Sequence, residues 1–298
     1  MRYLIAGSTG FLGTRLRERL DALGHDVTQL VRRAPGPGQL RWDPYSAALG
    51  HQVVDDHDVV VNLAGTPTLG NPRSKKWAKN LKDSRVTTTR VLAEAIAEST
   101  TKPVFLAGNA VAIYGDHGDE PITEATHPRS DTLLADVTRA WQAAAQPARH
   151  AGGRVCLLRT SPVYDRRGQP LGALRLQFTA GLGGRLGNGQ QYVPIISTRD
   201  WVDAVIHIAG TESISGPVNL CCEQVPTNAE LTRELAHQVH RPAFFHVPAP
   251  AIRLAAGPMA PEALGSVRVV PQVLLDSGFT FSDPDVSAVL REGLNPSR

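Results

Sequence analysis

Cysteine is scarce in this sequence, and its few cysteines are poorly spaced for disulfides or for metal binding. Cys156, Cys221 and Cys222 form no CxxC pair, have no histidine at metal-ligand spacing and are odd in number. We therefore expect them to be small buried residues of strands, in a cytoplasmic protein without a metal site.

Long apolar runs and segregated charge are lacking as well. No stretch approaches the roughly 18 apolar residues of a membrane helix, and the first residues form a strand pattern without a basic and apolar leader. The 31 Lys and Arg against 28 Asp and Glu leave a net charge of +3, with the basic residues scattered along the chain. These features predict a protein that binds neither a membrane nor nucleic acid.

Short β-branched runs alternate with amphipathic stretches in the first half of the chain. Of the 298 residues, 42% are hydrophobic, which is enough to bury the core of one large domain or of two smaller ones. The pattern predicts strands at 3–6, 26–31, 59–63 and 104–106, and helices at 12–23 and 75–98. This alternation is typical of a parallel sheet covered by helices on both faces.

The second half begins with the same pattern and then changes. We expect one long helix at 131–150 and a strand at 155–158, followed at 166–191 by a functional loop that holds seven glycines. A helix at 200–209, a strand at 218–221 and a helix at 227–240 follow. The expected domains are a dinucleotide-binding domain at 1–165, whose core continues through 200–222, and a substrate-binding portion at 166–298.

Three regularly spaced glycines follow the first predicted strand. Gly7, Gly10 and Gly13 stand at every third position, with Thr9, Phe11 and Leu12 between them. One glycine suits the tight turn, one the close approach of a pyrophosphate, and one the contact of helix with strand. Because a strand precedes this triplet and a helix follows it, the spacing predicts a dinucleotide site.

The end of the second predicted strand indicates which dinucleotide is bound. An acidic side chain there would bind the ribose 2′-OH of NAD, whereas a basic one would accept the 2′-phosphate of NADP. The sequence reads Leu30-Val31-Arg32-Arg33. A guanidinium fork matches phosphate, so Arg32 and Arg33 favour NADP(H).

Several motifs carry a resemblance to a known family. The glycine spacing, the segment 58–65 and the strand that ends at Tyr114 and Gly115 resemble extended short-chain dehydrogenase/reductases. The chain is most similar to their atypical subgroup of NAD(P)-dependent epimerases/dehydratases, called nucleoside-diphosphate-sugar epimerase-like, and the likeness covers nearly the whole chain. The resemblance implies a cofactor site that includes Leu63, Ala64, Gly65 and Arg85.

The chain departs from this family at the chemical centre. Typical members carry a Ser, a Tyr and, four residues after the Tyr, a Lys, which orient the carbonyl, exchange a proton and lower the pKa of the phenol. These positions correspond here to Asn109, Leu134 and Thr138, and neither Leu nor Thr exchanges protons near neutral pH. We therefore expect Tyr114 to donate the proton and Asn109 to orient the substrate.

Other residues are candidates for substrate binding. The atypical subgroup carries a Ser-Trp-Ile-His segment where this chain has 194–197, which ends at Ser197. Tyr164 follows the fifth strand of the predicted sheet, and Tyr192 lies after the glycine-rich segment. These three side chains are the expected substrate contacts.

The resulting expectation is an α/β protein with a Rossmann-type doubly wound parallel sheet and a smaller C-terminal portion that covers the substrate. The function that this predicts is an NADP(H)-binding epimerase/dehydratase-like enzyme that reduces or isomerises a small or sugar-like metabolite. Two alternatives stay open: a non-redox cyclase, dehydratase or isomerase on the same scaffold, and a cofactor-binding regulator without turnover. The expected partner is a small-molecule substrate, with a homodimer as the assembly considered.

Overall fold

A seven-stranded sheet organises the chain, whose computed structural model describes residues 1–68 and 70–296. The strands lie in the order β10-β6-β5-β4-β1-β2-β3. The β1–β2, β1–β4, β2–β3 and β4–β5 pairs are parallel, with Ala6 opposite Leu30 and Asn62 opposite Ala107. The strands are β1 (Arg2–Ala6), β2 (Asp26–Val31), β3 (Gln39–Arg41), β4 (Val59–Asn62), β5 (Val104–Ala110), β6 (Val155–Thr160) and β10 (Gly216–Leu220).

Two short parallel pairs and a set of helices complete the described fold. One pair joins β7 (Val163–Tyr164) with β9 (Ile196–Ser197), and the other joins β8 (Gly184–Leu186) with β11 (Phe245–Val247). The helices are α1 (Phe11–Ala22), α2 (His51–Asp55), α3 (Lys75–Glu98), α4 (Leu133–Ala143), α5 (Gln146–His150), α6 (Leu171–Thr179), α7 (Thr198–Gly210), α8 (Asn228–Gln238), α9 (Ala249–Ala256), α10 (Ala260–Leu264), α11 (Gln272–Asp276) and α12 (Val286–Leu294).

The sheet flanked by helices confirms the Rossmann-type α/β fold expected from the sequence. The bounds of β2 and α3 are those predicted, because both patterns are long and regular. The strand expected at 104–106 runs on to Ala110, and a 3₁₀ helix at Val111–Ile113 follows it. Cys156, Cys221 and Cys222 are free and buried.

Two predicted elements were wrong. The single helix expected at 131–150 is two helices, α4 and α5, because Pro147 has no N–H to donate inside a helix and stands in the first turn of the second one. The long loop expected at 166–191 contains α6 and β8. Leu171, Leu174 and Phe178 recur with helical spacing and pack into an apolar cluster, which outweighs the glycines around them.

The chain forms two compact units, each with its own apolar core. Unit 1 comprises Met1–Asn109, Val137–Leu158 and Val205–Pro217, and unit 2 comprises Ala110–Asp136, Arg159–Ala204 and Val218–Arg298. This division interleaves segments that the expected boundary at 165 would keep apart, and the functional division at that boundary stays a prediction. No helix of the described chain is long and apolar enough to cross a membrane.

Candidate functional site

The loop between β1 and α1 is packed tightly at two of its three glycines. Gly7 has a φ of +83°, and a Cβ there would lie 2.6 Å from the carbonyl carbon of Leu63. A Cβ on Gly13 would lie 2.2 Å from the oxygen of Gly7. Because no side chain fits at such distances, both positions require glycine for the loop to pack.

Gly10 is less crowded than Gly7 and Gly13. A Cβ on Gly10 would have the Gly7 oxygen, at 3.3 Å, as its only close neighbour in the described chain. Gly10 caps α1 without a side-chain hydrogen bond, and the first turn of the helix holds no acidic residue. Thr9 is exposed, and Phe11 and Leu12 are half-buried. The first N–H groups of a helix favour an anion, so this loop could hold the phosphates of a dinucleotide.

Two arginines follow β2 at the same edge of the sheet. Since β1 and β2 are parallel with Ala6 opposite Leu30, the residues after each strand emerge at one edge. Arg32 and Arg33 are exposed there, and they form no ion pair with the residues that the structure describes. Their guanidinium groups are therefore free to meet a phosphate.

The end of β4 is shaped by a buried asparagine. Asn62 accepts a hydrogen bond from the Ala64 N–H at 3.1 Å and donates to the Thr89 hydroxyl at 2.8 Å. This pair of bonds fixes the backbone of Leu63 and Ala64, against which Gly7 packs. The predicted cofactor residues Leu63, Ala64 and Gly65 thus lie beside the glycine loop within unit 1.

Arg85 covers the next residue of this segment. A Cβ on Gly65 would lie 3.2 Å from the guanidinium carbon of Arg85. One guanidinium nitrogen, Nη1, donates to the carbonyls of Thr66 at 3.0 Å and Leu81 at 3.1 Å. Burial lowers the pKa of Arg85 to about 10, so the side chain stays charged at neutral pH. The structure shows no carboxylate of the described chain paired with this cation.

Asn109 stands at the end of β5 and is buried. Its Nδ2 donates to the Thr138 carbonyl at 3.3 Å, whereas its Oδ1 has no hydrogen-bond partner among residues 1–68 and 70–296. A buried acceptor without a donor costs free energy. The free oxygen is therefore suited to receive a hydrogen bond from a ligand.

Tyr114 is fully buried and its hydroxyl is occupied on both sides. The hydroxyl donates to Asn219 Oδ1 at 2.7 Å and accepts from Arg159 Nη1 at 2.6 Å, and the guanidinium carbon of Arg159 lies 4.8 Å from the ring centroid. Burial raises the pKa of Tyr114 above its ordinary value, against the effect of Arg159. This geometry suits a structural role, and proton donation by Tyr114 stays a prediction.

Sequence reasoning missed most of this Tyr114 cluster, which also holds Glu124. The Glu124 carboxylate accepts from the N–H of Asn219 at 2.9 Å and of Val273 at 3.3 Å, and burial raises its pKa. Arg159 and Asn219 lie within β6 and β10, so a polar residue inside an apolar strand was an available signal. No comparable signal marked Glu124.

The three expected substrate residues lie in unit 2 in different surroundings. Tyr164 and Ser197 face each other in the β7–β9 pair and are buried. Ser197 Oγ accepts from the Asp200 N–H at 3.0 Å and so caps α7, while burial raises the pKa of Tyr164. Tyr192 is half-buried beside Arg268, whose guanidinium carbon lies 5.1 Å from its ring centroid. Substrate contact by these residues stays a prediction.

Comparison with known proteins identifies the family to which this arrangement belongs. Residues 3–221 match the NAD dependent epimerase/dehydratase family, and residues 247–292 match a domain of unknown function, DUF1731. The chain belongs to the NAD dependent epimerase/dehydratase family. The expected resemblance to atypical extended short-chain dehydrogenase/reductases is thereby confirmed.

Relatives named as epimerases match along almost the whole of this chain. An epimerase family protein of Mycobacterium leprae is 38% identical over 290 residues, which are 96% of this chain and 93% of the relative. The human epimerase family protein SDR39U1, solved with NADPH, matches with a TM-score of 0.88 at 30% identity over 100% of both chains. A nucleoside-diphosphate sugar epimerase from Corynebacterium glutamicum matches with a TM-score of 0.82 at 34% identity, over 99% of this chain and 58% of that one.

Proposed function

We propose that the chain is an NADP(H)-dependent enzyme that reduces or isomerises a small or sugar-like metabolite. The observation that carries this proposal is the glycine loop before α1, in which Gly10 stands between two glycines that cannot be replaced without a clash. An anion at the start of α1 is stabilised by the N–H groups of the first turn. The human relative that was solved with NADPH supports the same cofactor class.

The charge after β2 supports NADP(H) over NAD(H). Arg32 and Arg33 stand where a carboxylate would bind the ribose 2′-OH of NAD. Both guanidinium groups are exposed, so they can turn toward a 2′-phosphate without breaking an ion pair. When bound, the nicotinamide supplies or removes a hydride.

Asn109 is the residue of unit 1 best placed to orient a substrate. Its Nδ2 is held by the Thr138 carbonyl, so the amide is fixed and its free Oδ1 accepts a hydrogen bond from a substrate hydroxyl. Thr138 and Leu134 supply no acid or base. This absence at the two family positions favours the non-redox alternative as the second candidate, in which the substrate changes without net hydride transfer.

Calorimetry with NADPH and NADH tests the cofactor assignment. NADPH should bind at least about 10-fold more tightly than NADH, and the double variant Arg32→Ala, Arg33→Ala should lose about 10- to 150-fold in affinity for NADPH alone, since a charge-assisted hydrogen bond contributes about 1.5–3 kcal/mol. The double variant Arg149→Ala, Arg253→Ala removes the same charge from exposed helical positions and should change neither affinity. Equal binding of both nucleotides to the unmodified protein would refute the assignment.

A further inference from the structure

One face of α4 carries no cation, although the family chemistry places one there. Leu134, Thr138 and Trp141 fall at positions i, i+4 and i+7 of the helix and so share a face. Leu134 and Thr138 stand where typical family members carry the Tyr and the Lys, and Trp141 follows on the same face about one turn later. Its ring lies against the end of β5, because a Cβ on Gly108 would be 2.7 Å from it.

The Trp141 ring is held from several directions. Its Nε1 donates to Thr89 Oγ1 at 2.8 Å, and the same oxygen accepts from Asn62 Nδ2 at 2.8 Å. On the other side, the missing side chain of Gly108 leaves room for the ring and for the Asn62 carbonyl. The ring therefore connects α3, α4 and the ends of β4 and β5, and its orientation is fixed.

A cation from α3 rests on this ring. The guanidinium carbon of Arg85 lies 5.2 Å from the Trp141 ring centroid, within the range of a cation–π contact. Two backbone carbonyls hold Nη1 and leave Nε and Nη2 without a carboxylate in the described chain. Arg85 is half-buried, and a partly desolvated charge without a counter-ion is costly, so this arrangement is suited to an anion that arrives with a ligand.

The order of the strands indicates which part of a dinucleotide would pass here. In a bound dinucleotide the adenosine ribose would lie at the end of β2. The strand β1, with the glycine loop, has β2 on one side and β4 on the other. The other half of the dinucleotide must therefore cross the ends of β4 and β5. Arg85 at Gly65, Trp141 at Gly108 and the unpartnered Asn109 Oδ1 all lie on that path.

We propose that Arg85 binds the nicotinamide ribose and its phosphate, supplying from α3 the fixed cation that α4 lacks, and that Trp141 is the positioning residue that holds the guanidinium. This inference rests on the proposed NADP(H) binding. The glycine loop and the two arginines after β2 would contact the phosphates and the adenosine half, whereas Arg85 would contact the nicotinamide half.

Two nucleotides separate the proposed contact from the rest of the site. Calorimetry would compare NADPH with 2′,5′-ADP, which keeps the adenine, both ribose phosphates of its half and no nicotinamide ribose. Arg85→Gln should weaken NADPH binding about 10- to 100-fold and change 2′,5′-ADP binding less than about 2-fold. Arg85→Lys, which keeps the charge but loses the planar fork, should fall between Arg85→Gln and the unmodified protein.

A matched control lies on the same helix. Arg90→Gln makes the same substitution at an exposed position of α3 and should leave both affinities unchanged. Equal losses for NADPH and 2′,5′-ADP in Arg85→Gln would move the contact to the adenosine half, and no loss for either would leave Arg85 a structural residue; both results overturn the inference while NADP(H) binding stands. An unmodified protein that binds neither nucleotide overturns the proposed function itself.

The positioning role of Trp141 has its own readout. Trp141→Phe keeps a ring under the cation and should weaken NADPH binding only a few-fold, whereas Trp141→Leu should approach the loss of Arg85→Gln. If Trp141 acts through Arg85, adding Trp141→Leu to Arg85→Gln should cause little further loss, since coupled residues are non-additive. Fully additive losses would remove Trp141 from this role, and the comparison of Arg85→Lys with Arg85→Gln decides the Arg85 contact even if Trp141→Leu does not fold.

Discussion

Arg85 in unit 1 is half-buried and Arg159 in unit 2 is buried, and each lies over an aromatic ring, at 5.2 Å and 4.8 Å respectively. Arg159 donates to the hydroxyl of Tyr114, which in turn donates to Asn219. Arg85 has two carbonyls on one nitrogen and no carboxylate in the part of the chain that is described. The difference teaches that bonding to other side chains, more than residue type, separates a stabilising arginine from one available to a ligand.

The largest expected effect comes from removing the cation of the Tyr114 cluster. Arg159→Met removes a buried cation and leaves the Tyr114 hydroxyl and the Glu124 carboxylate without it, so the free energy of unfolding should fall by about 3–5 kcal/mol. Tyr114→Phe, which removes one hydroxyl, should cost about 1–3 kcal/mol. Urea unfolding followed by circular dichroism measures both.

The control for this pair is Arg166→Met, an exposed arginine that should change stability by less than about 0.5 kcal/mol. NADPH affinity measured on folded protein should stay within about 2-fold of the unmodified value in Arg159→Met, since its partners are protein groups. Unchanged stability in Arg159→Met would contradict the distinction between the two arginines.

The second prediction concerns the glycine loop before α1, where we propose that the phosphates bind. Gly10→Val fills the space where the phosphates would lie, so NADPH affinity should fall by at least about 100-fold while the free energy of unfolding falls by no more than about 1 kcal/mol. Gly13→Ala should instead lower the free energy of unfolding sharply, because its Cβ would lie 2.2 Å from the Gly7 oxygen. Calorimetry and urea unfolding on the same samples separate the two results, and retained NADPH affinity in Gly10→Val would make the loop purely structural.

The smallest effect concerns a buried carboxylate at the start of α7. Asp200 is buried and accepts the N–H groups of Ser282 and Asp283, each at 2.8 Å, while Arg199 pairs with Asp283 at 2.6 Å. Burial raises the pKa of Asp200 to about 6. Between its unfolded and folded pKa values the folded protein binds the extra proton, so this contribution to stability falls as pH rises, by about 2 kcal/mol from pH 4.5 to 7.

Asp200→Asn keeps one hydrogen-bond acceptor and cannot titrate. The variant should therefore lose the part of the pH dependence of stability that comes from Asp200. Urea unfolding at several pH values would give the difference in stability between the unmodified protein and the variant, and that difference should drift by about 2 kcal/mol across the window. Asp21→Asn, at an exposed position of α1, should run parallel to the unmodified protein. A parallel profile for Asp200→Asn would show that the Asp200 carboxyl is not perturbed by burial.

Features that depend on residues close together in the sequence were predicted, whereas contacts between residues far apart in the sequence were not. The glycine loop, β2 and α3 were predicted correctly, because each depends on neighbouring residues and a regular apolar period. The break before α5 was also readable, since Pro147 stands inside the last turn of the expected helix. Trp141 was not found as a site residue, because its partners Thr89 and Arg85 lie more than 50 residues away.

The sequence by itself determined the parallel sheet, the glycine loop after β1 and the absence of an acid or base at Leu134 and Thr138, because backbone conformation at glycines and side-chain chemistry are local properties. Only the tertiary structure decided which polar groups have partners. Tyr114 and Asn219 are 105 residues apart and close each other off, whereas Asn109 keeps a free oxygen. Whether a polar group stabilises the fold or stays available to a ligand depends on partners that folding brings from distant parts of the chain.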